Sequence, residues 1–289
     1  MRNIDLDSLE IFRSVVETGS ITGAAGQLGR VQSNVTTRIQ NLEDRLGVKL
    51  FQRQRNRLML SADGQILLTY AERLLRLSAE AEATLKARGP RGKLRIGTLE
   101  STAAARLPPL LSAFHARYPD VQIELVTGDS TALLQRVRRF DVDAAFVSEP
   151  FDAEGLETQP SFTEELALIA PLSIPPISDA SDMRGRTIIA FATGCSYRRI
   201  LEDWLAMSKI VPERVLELAS YHAIVACVAA GAGIAIMPHS VLRAVHAEGQ
   251  VQASPLPPQV ADVRTHLIWC PGHHSSALDA LRAEISSCR

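Results

Sequence analysis

Residues 20–57 read SITGAAGQLGRVQSNVTTRIQNLEDRLGVKLFQRQRNR. Two short helical patterns follow each other closely here, and a basic run closes the stretch. Ala24 and Ala25 are small enough to let a second helix pack tightly on a first. Val35, Ile39, Leu42 and Leu46 recur at spacings of four, three and four, which marks one face of an α-helix. The opposite face begins Gln32, Ser33, Thr36, Thr37 and Gln40. These side chains are polar and uncharged, as suits hydrogen bonding to base edges in a DNA major groove. From Arg45 to Arg57 every charged residue is positive: Arg45, Lys49, Arg53, Arg55 and Arg57. Such a run beside a reading helix is a phosphate-contacting surface. The stretch reads as a winged helix-turn-helix.

Working outward, the periodicity predicts a first helix over about Asp7 to Thr18 with Leu9, Phe12 and Val16 on its core side. Gly19 suits the position after its end, and Ser20 the N-cap of the second helix. KLFQR and RLML read as two strands around a turn at Gln54–Asn56, the wing. Ser61 caps a long helix to about Ala87. Leu67, Ala71, Leu74, Ser78, Ala81 and Leu85 recur along it at four, three, four, three and four, the seam of a short coiled coil of about 40 Å. This predicts a dimer that holds two reading heads at a fixed spacing. Arg88-Gly89-Pro90-Arg91-Gly92 is a boundary.

From Lys93 the pattern changes. Lys93–Gly97, Gln122–Thr127, Ala144–Ser148, Glu165–Ala170, Thr187–Phe191, Gly233–Met237 and Thr265–Cys270 read as strands. Pro108–Tyr118, Thr131–Phe140, Tyr197–Met207 and His222–Ala230 read as helices between them. The alternation predicts an α/β domain with mainly parallel sheets.

Bulk properties agree with a soluble globular protein. The chain has 289 residues, 46% apolar and 22% charged, and a net charge of −1. Residues 1–88 hold 13 Lys and Arg against 10 Asp and Glu, whereas the remainder holds 18 against 22. Only the N-terminal part therefore has the sign of a nucleic-acid binder. No apolar run reaches the ~18 residues of a membrane span, and MRNIDLDSLE lacks a signal core, which predicts a cytoplasmic protein without membrane contact. The four cysteines, Cys195, Cys227, Cys270 and Cys288, have no metal-ligand spacing. Adjacent His273 and His274 diverge on any regular element. No metal and no cofactor is predicted. Gly231-Ala232-Gly233 follows a helix and precedes a strand, the wrong order for a dinucleotide fingerprint. No nucleophile elbow, HExxH or P-loop occurs, so the chain is not read as an enzyme.

With these residues in place the chain resembles the LysR-type transcriptional regulators over nearly its whole length. The matching stretches are LDSLEIFRSVVETGSITGAAGQLGRVQSNVTTRIQNLEDRLGVKLFQRQRNRLMLSADG, LRIGTLESTAAARLPPLLSAFHARYPDVQIEL and VACVAAGAGIAIMP. Within the family, GTLESTAA, GCSYRRILEDWL and ASYHAIVACVAAGAGIAIMP are similar to a subgroup that includes a regulator of putrescine utilisation. The resemblance implies an all-α winged helix-turn-helix over 1–60, a linker helix over 61–88 and a two-lobed effector domain over 92–289, like a periplasmic binding protein. Lobe I would take about 92–162 and 268–289, and lobe II about 163–267. It also implies a homodimer or homotetramer on an inverted-repeat site in double-stranded DNA, a small-molecule effector, and contact with RNA polymerase. Family members commonly read DNA through a Gln-x-x-x-Ser-Arg pattern. Gln32 fits it, while Thr36 and Thr37 stand in the places of the Ser and Arg. Arg38 or Arg30 would compensate in phosphate binding.

The candidate DNA contacts are thus Arg30, Gln32, Ser33, Thr36, Thr37, Arg38, Arg53, Arg55 and Arg57. The candidate effector contacts lie where strands pass into helices, the ligand-binding edge of α/β sheets. They are Glu100, Ser101 and Thr102; Thr127 and Gly128; Cys195, Ser196 and Tyr197; and Tyr221 and His222. Hydroxyls and amides at helix starts favour anionic groups, so the predicted effector bears a carboxylate. Glu100 and Asp129 favour one that also carries an amine, and a free diamine ranks second. Cys195 at a helix start carries a competing reading, a thiol of lowered pKa that senses oxidants.

Overall fold

The computed structural model describes residues 4–54, 57–86, 89–273 and 275–287; the side chains of 53, 54, 57, 80 and 83–86 lie outside the description. It divides into two compact units, Met1–Ala87 and Arg88–Arg289.

The first unit runs α1 (Leu6–Thr18), α2 (Ile21–Gln27), α3 (Gln32–Leu46), β1 (Phe51–Gln54), β2 (Arg57–Leu60) and α4 (Ala62–Lys86). Its punctuation is local chemistry. The Asp5 carboxylate accepts the Ser8 amide at 2.8 Å and Ser20 Oγ the Gly23 amide at 2.9 Å, so both helices start on a side-chain cap. Gly19 and Gly47 end α1 and α3 in the left-handed region. Leu9, Ile11, Phe12 and Val15 of α1 are buried against Ala24, Val35, Ile39 and Leu42; Val15 takes the central place predicted for Val16, which packs at the margin. The wing strands pair antiparallel, Phe51 with Leu60 and Gln54 with Arg57. Ser61 Oγ accepts the Gly64 amide and donates to the Lys49 carbonyl, which joins the cap of α4 to the wing. Gly64 is required there, because a Cβ would come within 2.3 Å of the Leu50 carbonyl oxygen.

The long helix α4 corrects the predicted seam. Ala71 is fully buried in the core of its own unit, with Leu67, Leu68 and Leu75 packed around it. The apolar residues left exposed are Ile66, Tyr70, Leu74 and Leu77. Of the predicted seam Leu74 lies on that line and exposed Ala81 continues it a turn beyond Leu77, Ser78 is half-buried, and the Leu85 side chain lies outside the description. Sequence periodicity marks an apolar stripe but not which neighbour covers it.

The second unit contains β3 (Gly92–Thr98), α5 (Glu100–Ala105), α6 (Leu107–Arg117), β4 (Val121–Thr127), α7 (Ser130–Arg138), β5 (Ala144–Ser148), β6 (Glu157–Ala170), β7 (Thr187–Ala190), α8 (Ser196–Met207), β8 (Arg214–Glu217), α9 (Tyr221–Ala229), β9 (Ala235–Pro238), α10 (His239–Ala244), β10 (Gln252–Pro255), α11 (Pro258–Ala261), β11 (Asp262–Trp269) and α12 (Ser276–Ser287). The strands run β10-β6-β11-β5-β3-β4, with β9 also on β6, and β7-β8 form a separate parallel pair. β3 pairs in parallel with β4 and β5, but β11 with β5 and β6, and β6 with β9 and β10, are antiparallel. The sheet is therefore mixed rather than mainly parallel.

Two strands make the unit two-lobed. β6 spends Glu157–Glu165 against β11 and Leu166–Ala170 against β9 and β10. β11 returns, and its Thr265–Trp269 half joins β5. The return crossing thus comes a few residues before the predicted boundary near 268. Only the second half of β6 was predicted. Its first half carries Pro160, seated beside a register shift between Thr265 and His266, where a missing amide costs no ladder bond. Helix α12 was not predicted either; it buries Leu278, Leu281 and Ile285 against the first lobe. The other lobe closes around Leu166, Leu168, Ile188, Leu201, Trp204 and Ile236.

Candidate functional site

In the first unit, α3 presents the predicted reading residues on one side. Gln32, Ser33 and Thr37 are exposed, opposite buried Val35, Ile39 and Leu42. Thr36 donates its hydroxyl to the Gln32 carbonyl at 3.0 Å, which leaves its lone pairs facing out. Val31 precedes them as the N-cap, with no side-chain cap and 69% of its surface exposed. An exposed branched apolar side chain has the chemistry to meet a thymine methyl group. The sequence reading missed it because an isolated valine looks like core.

The cations around the helix are more engaged than the sequence implied. Arg30 grips Asp7 through both guanidinium nitrogens, and Arg38 stands 3.4 Å from the same carboxylate. Arg45 reaches Asp5 at 3.5 Å. Lys49 donates to Glu43 at 2.7 Å, and this pairing pushes the Lys49 pKa up. Glu43 is buried and also accepts the Leu50 amide at 2.9 Å, which ties the end of α3 to the first wing strand. Of the predicted phosphate contacts, Arg55 and the side chains of Arg53 and Arg57 lie outside the described residues.

In the second unit a cavity of about 520 Å³ opens where the carboxyl ends of β3, β4 and β5 face the starts of α8 and α9. It takes in Glu100, Ser101, Thr127, Gly128, Cys195, Ser196, Tyr197 and Tyr221, as predicted. Two candidates fall outside its wall. Thr102 is buried within α5, and His222 is exposed beside Glu100 rather than inside the cavity. A one-residue step along a helix turns a side chain through about 100°, and strand-to-helix junctions do not reveal that phase.

Hydroxyl groups span the two lobes. Ser101 Oγ and Tyr197 Oη share a bond at 3.3 Å. Ser130 and Ser196 hydroxyls meet at 2.9 Å, and Ser196 donates to the Ser148 carbonyl at 3.0 Å. Burial raises the pKa of both Tyr197 and Tyr221, so their phenols are neutral donors. Asp129 caps α7 through the Ala132 amide at 2.9 Å. Gly194, at φ 109, lets the chain pass within contact of the Asp129 carboxylate, where any Cβ would meet Oδ1 at 2.9 Å. Ser148, Phe191 and Glu217 also line the cavity and were not predicted. Ser148 ends a central strand and could have been found by the sheet-edge rule. Glu217 ends β8, whose RVLE is exposed throughout and has no apolar alternation to mark it.

The surroundings of Cys195 do not favour the redox reading. Burial pushes its thiol pKa up, against the pull of the Arg198 and Tyr197 amides. A protonated thiol is a poor nucleophile. Cys195, Cys227 and Cys270 form no disulfide, the Cys270 thiol donates to the Val137 carbonyl at 3.2 Å, and Cys288 lies outside the described residues.

Residues 6–65 match the bacterial regulatory helix-turn-helix protein, lysR family, and residues 87–287 match the LysR substrate binding domain. The chain belongs to the LysR family. It is a DNA-binding transcription regulator with a helix-turn-helix head and an effector-binding domain. It is 40% identical over 261 residues to the uncharacterized regulator YusT of Bacillus subtilis, covering 90% of this chain and 88% of that protein. To GltR of the same organism it is 36% identical over 266 residues, covering 92% and 90%. Among solved structures, a full-length OxyR variant of Pseudomonas aeruginosa aligns with a TM-score of 0.74 at 19% identity, over 99% of this chain and 95% of that one. Full-length CbnR complexed with its target DNA aligns at 0.71 and 22% identity, over 99% and 100%. At these identities the structural neighbours share the fold, and the OxyR match does not favour peroxide sensing.

Among the described residues no helix is long and apolar enough to cross a membrane.

Proposed function

We propose that this LysR regulator reads an inverted-repeat promoter site as a dimer and changes its action when a small molecule enters the cavity between the lobes. The observation that carries the switch is the set of hydroxyl bonds spanning that cavity, Ser101–Tyr197 and Ser130–Ser196. A ligand that replaces or adds to them changes the relative stability of open and closed lobes, which is the differential affinity any switch needs. The exposed Ile66, Tyr70, Leu74 and Leu77 line on α4 supports dimerisation, because such a face is stabilised by a second copy. Gln32, Ser33, Thr36 and Thr37 read base edges with Val31, and wing arginines hold phosphates. Two heads on one dimer match two half-sites a helical turn or more apart. A dimer of dimers and contact with RNA polymerase belong to the same reading, as does work in the bacterial cytoplasm.

The test is fluorescence anisotropy of the full chain on DNA from upstream of its own gene against scrambled DNA of equal length. Specific binding tighter by at least a hundredfold supports the reading; equal affinity for both overturns it. A dimer-interface variant, Leu77→Asp, is expected to weaken a two-half-site operator far more than scrambled DNA.

A further inference from the structure

Charge separates the possible occupants of the cleft. Three carboxylates line it, Glu100, Asp129 and Glu217, and among the described residues no Lys, Arg or His does. Glu217 is neutralised by Arg198, which pairs with Glu202 as well. Among the described residues, Glu100 and Asp129 have no ion pair with any Lys or Arg. His222 and the Tyr221 amide face Glu100 from the start of α9. Even so, Glu100 Oε2 is buried with no hydrogen-bond partner. Burial also pushes the Glu100 carboxyl pKa up, a cost that a cation in the cavity would offset.

Several of the groups that would hold an anion are already used. Helix α5 is six residues long and carries Glu100 at its own first position. The Ser101 hydroxyl is engaged with Tyr197. The Tyr197 and Arg198 amides at the start of α8 face the Cys195 sulfur. Phe191 and Tyr221, with ring centroids 4.7 Å apart, add aromatic surface of the kind that attracts a cation.

Resting on the reading that this cleft is the effector site, we propose that its effector is a small organic cation bearing a primary ammonium group, bound by Glu100 with Asp129 as a second acid. This reverses the sequence expectation of a carboxylate. The ammonium pairs with the carboxylate charge on the cavity wall, and the cavity hydroxyls accept its remaining hydrogens.

The experiment is thermal shift and calorimetric titration of the full-length protein at constant ionic strength. The probes are n-butylamine, α,ω-diaminoalkanes of three to six carbons, butyrate, glutarate and n-butanol. Variants are Glu100→Gln, Asp129→Asn, which keeps a good helix cap, and Ala219→Phe and Ala192→Leu, which fill the cleft from separate positions. At least one amine is expected to raise the midpoint while the carboxylates and the alcohol do not. Glu100→Gln should weaken that amine at least tenfold and Asp129→Asn about threefold or more, and either filling variant should abolish binding. Carboxylate binding that the filling variants remove, with no amine binding, overturns the cation and leaves the cleft as effector site. Amine binding that survives filling, or that is indifferent to Glu100→Gln, also overturns the proposal, as does an amine series without effect at millimolar concentration. Specific DNA binding by the same preparations reports separately on the regulator reading.

Discussion

The residues proposed to face DNA are neighbours in sequence, Val31 to Thr37, and α3 with its N-cap orients them all. The cleft collects Glu100, Asp129, Ser148, Cys195 and Tyr221 from five segments spread over more than a hundred residues. The first surface exists wherever that helix forms. The second exists only while two lobes and two crossing strands hold their places. Local sites should therefore tolerate distant damage, and assembled sites should not.

The largest effect should come from the crossing. Glu164 on β6 is 2% exposed, holds Arg106 at 2.7 and 3.1 Å, and accepts the Ser240 hydroxyl at 2.5 Å. Glu164→Ala strands a guanidinium that is itself partly exposed, so it should cost about 3 kcal/mol, the low end for breaking a buried pair. Urea unfolding of the full chain should show the second unit weakened while the first keeps its midpoint. Equal loss in both units would break the distinction between them.

Next, Gln32→Ala should cost about 1–3 kcal/mol on the specific operator and little on scrambled DNA. Anisotropy titrations that show equal losses on both would remove Gln32 from base reading.

A smaller effect belongs to the head itself. Asp5→Ala removes the cap of α1, worth about 1 kcal/mol. The Ser8 amide holds the Asp5 pKa below its ordinary 3.8. The stabilisation is therefore present above that value and is lost as pH falls through the lower folded pKa. In acid unfolding the wild type should lose its advantage over the variant in that window. A constant gap across it would contradict the assignment.

Smaller still, a double-mutant cycle of Ser101→Ala and Tyr197→Phe should give a coupling of about 0.5–1 kcal/mol between lobes, read by denaturation midpoints. Additive losses would show that the hydroxyls do not act as one tie. The smallest effect is expected at Cys195. Because burial raises its thiol pKa, Cys195→Ser should change DNA binding after peroxide treatment by less than about twofold. Abolition of a peroxide response in that variant would restore the redox reading.

The head was legible because its signals are short-range. The helix start at Ser20, the ends at Gly19 and Gly47, and the four-three-four spacing of Val35 to Leu46 all lie within one turn of what they control, whereas the Asp5 cap of α1 emerged only in the structure. Legibility failed where partner choice mattered. The stripe on α4 was visible, yet Ala71 faces its own unit and Ile66, Tyr70 and Leu77 face out. The cleft was half legible: strand-to-helix junctions pointed to Glu100, Ser101 and Tyr197, but not to the inward turn of Thr102 or to Glu217 on an exposed strand.

The sequence by itself determined the amphipathic helix α3, its glycine end and the basic sign of the first unit, since each depends on nearby residues or on composition alone. Only the tertiary structure decided that the sheet is mixed, that β6 and β11 carry the chain between lobes, and that two acids, unpaired with Lys or Arg among the described residues, face one cavity. Those outcomes depend on which segments meet across a hundred residues of chain. Burial and pairing, not composition, set the charge a ligand meets there.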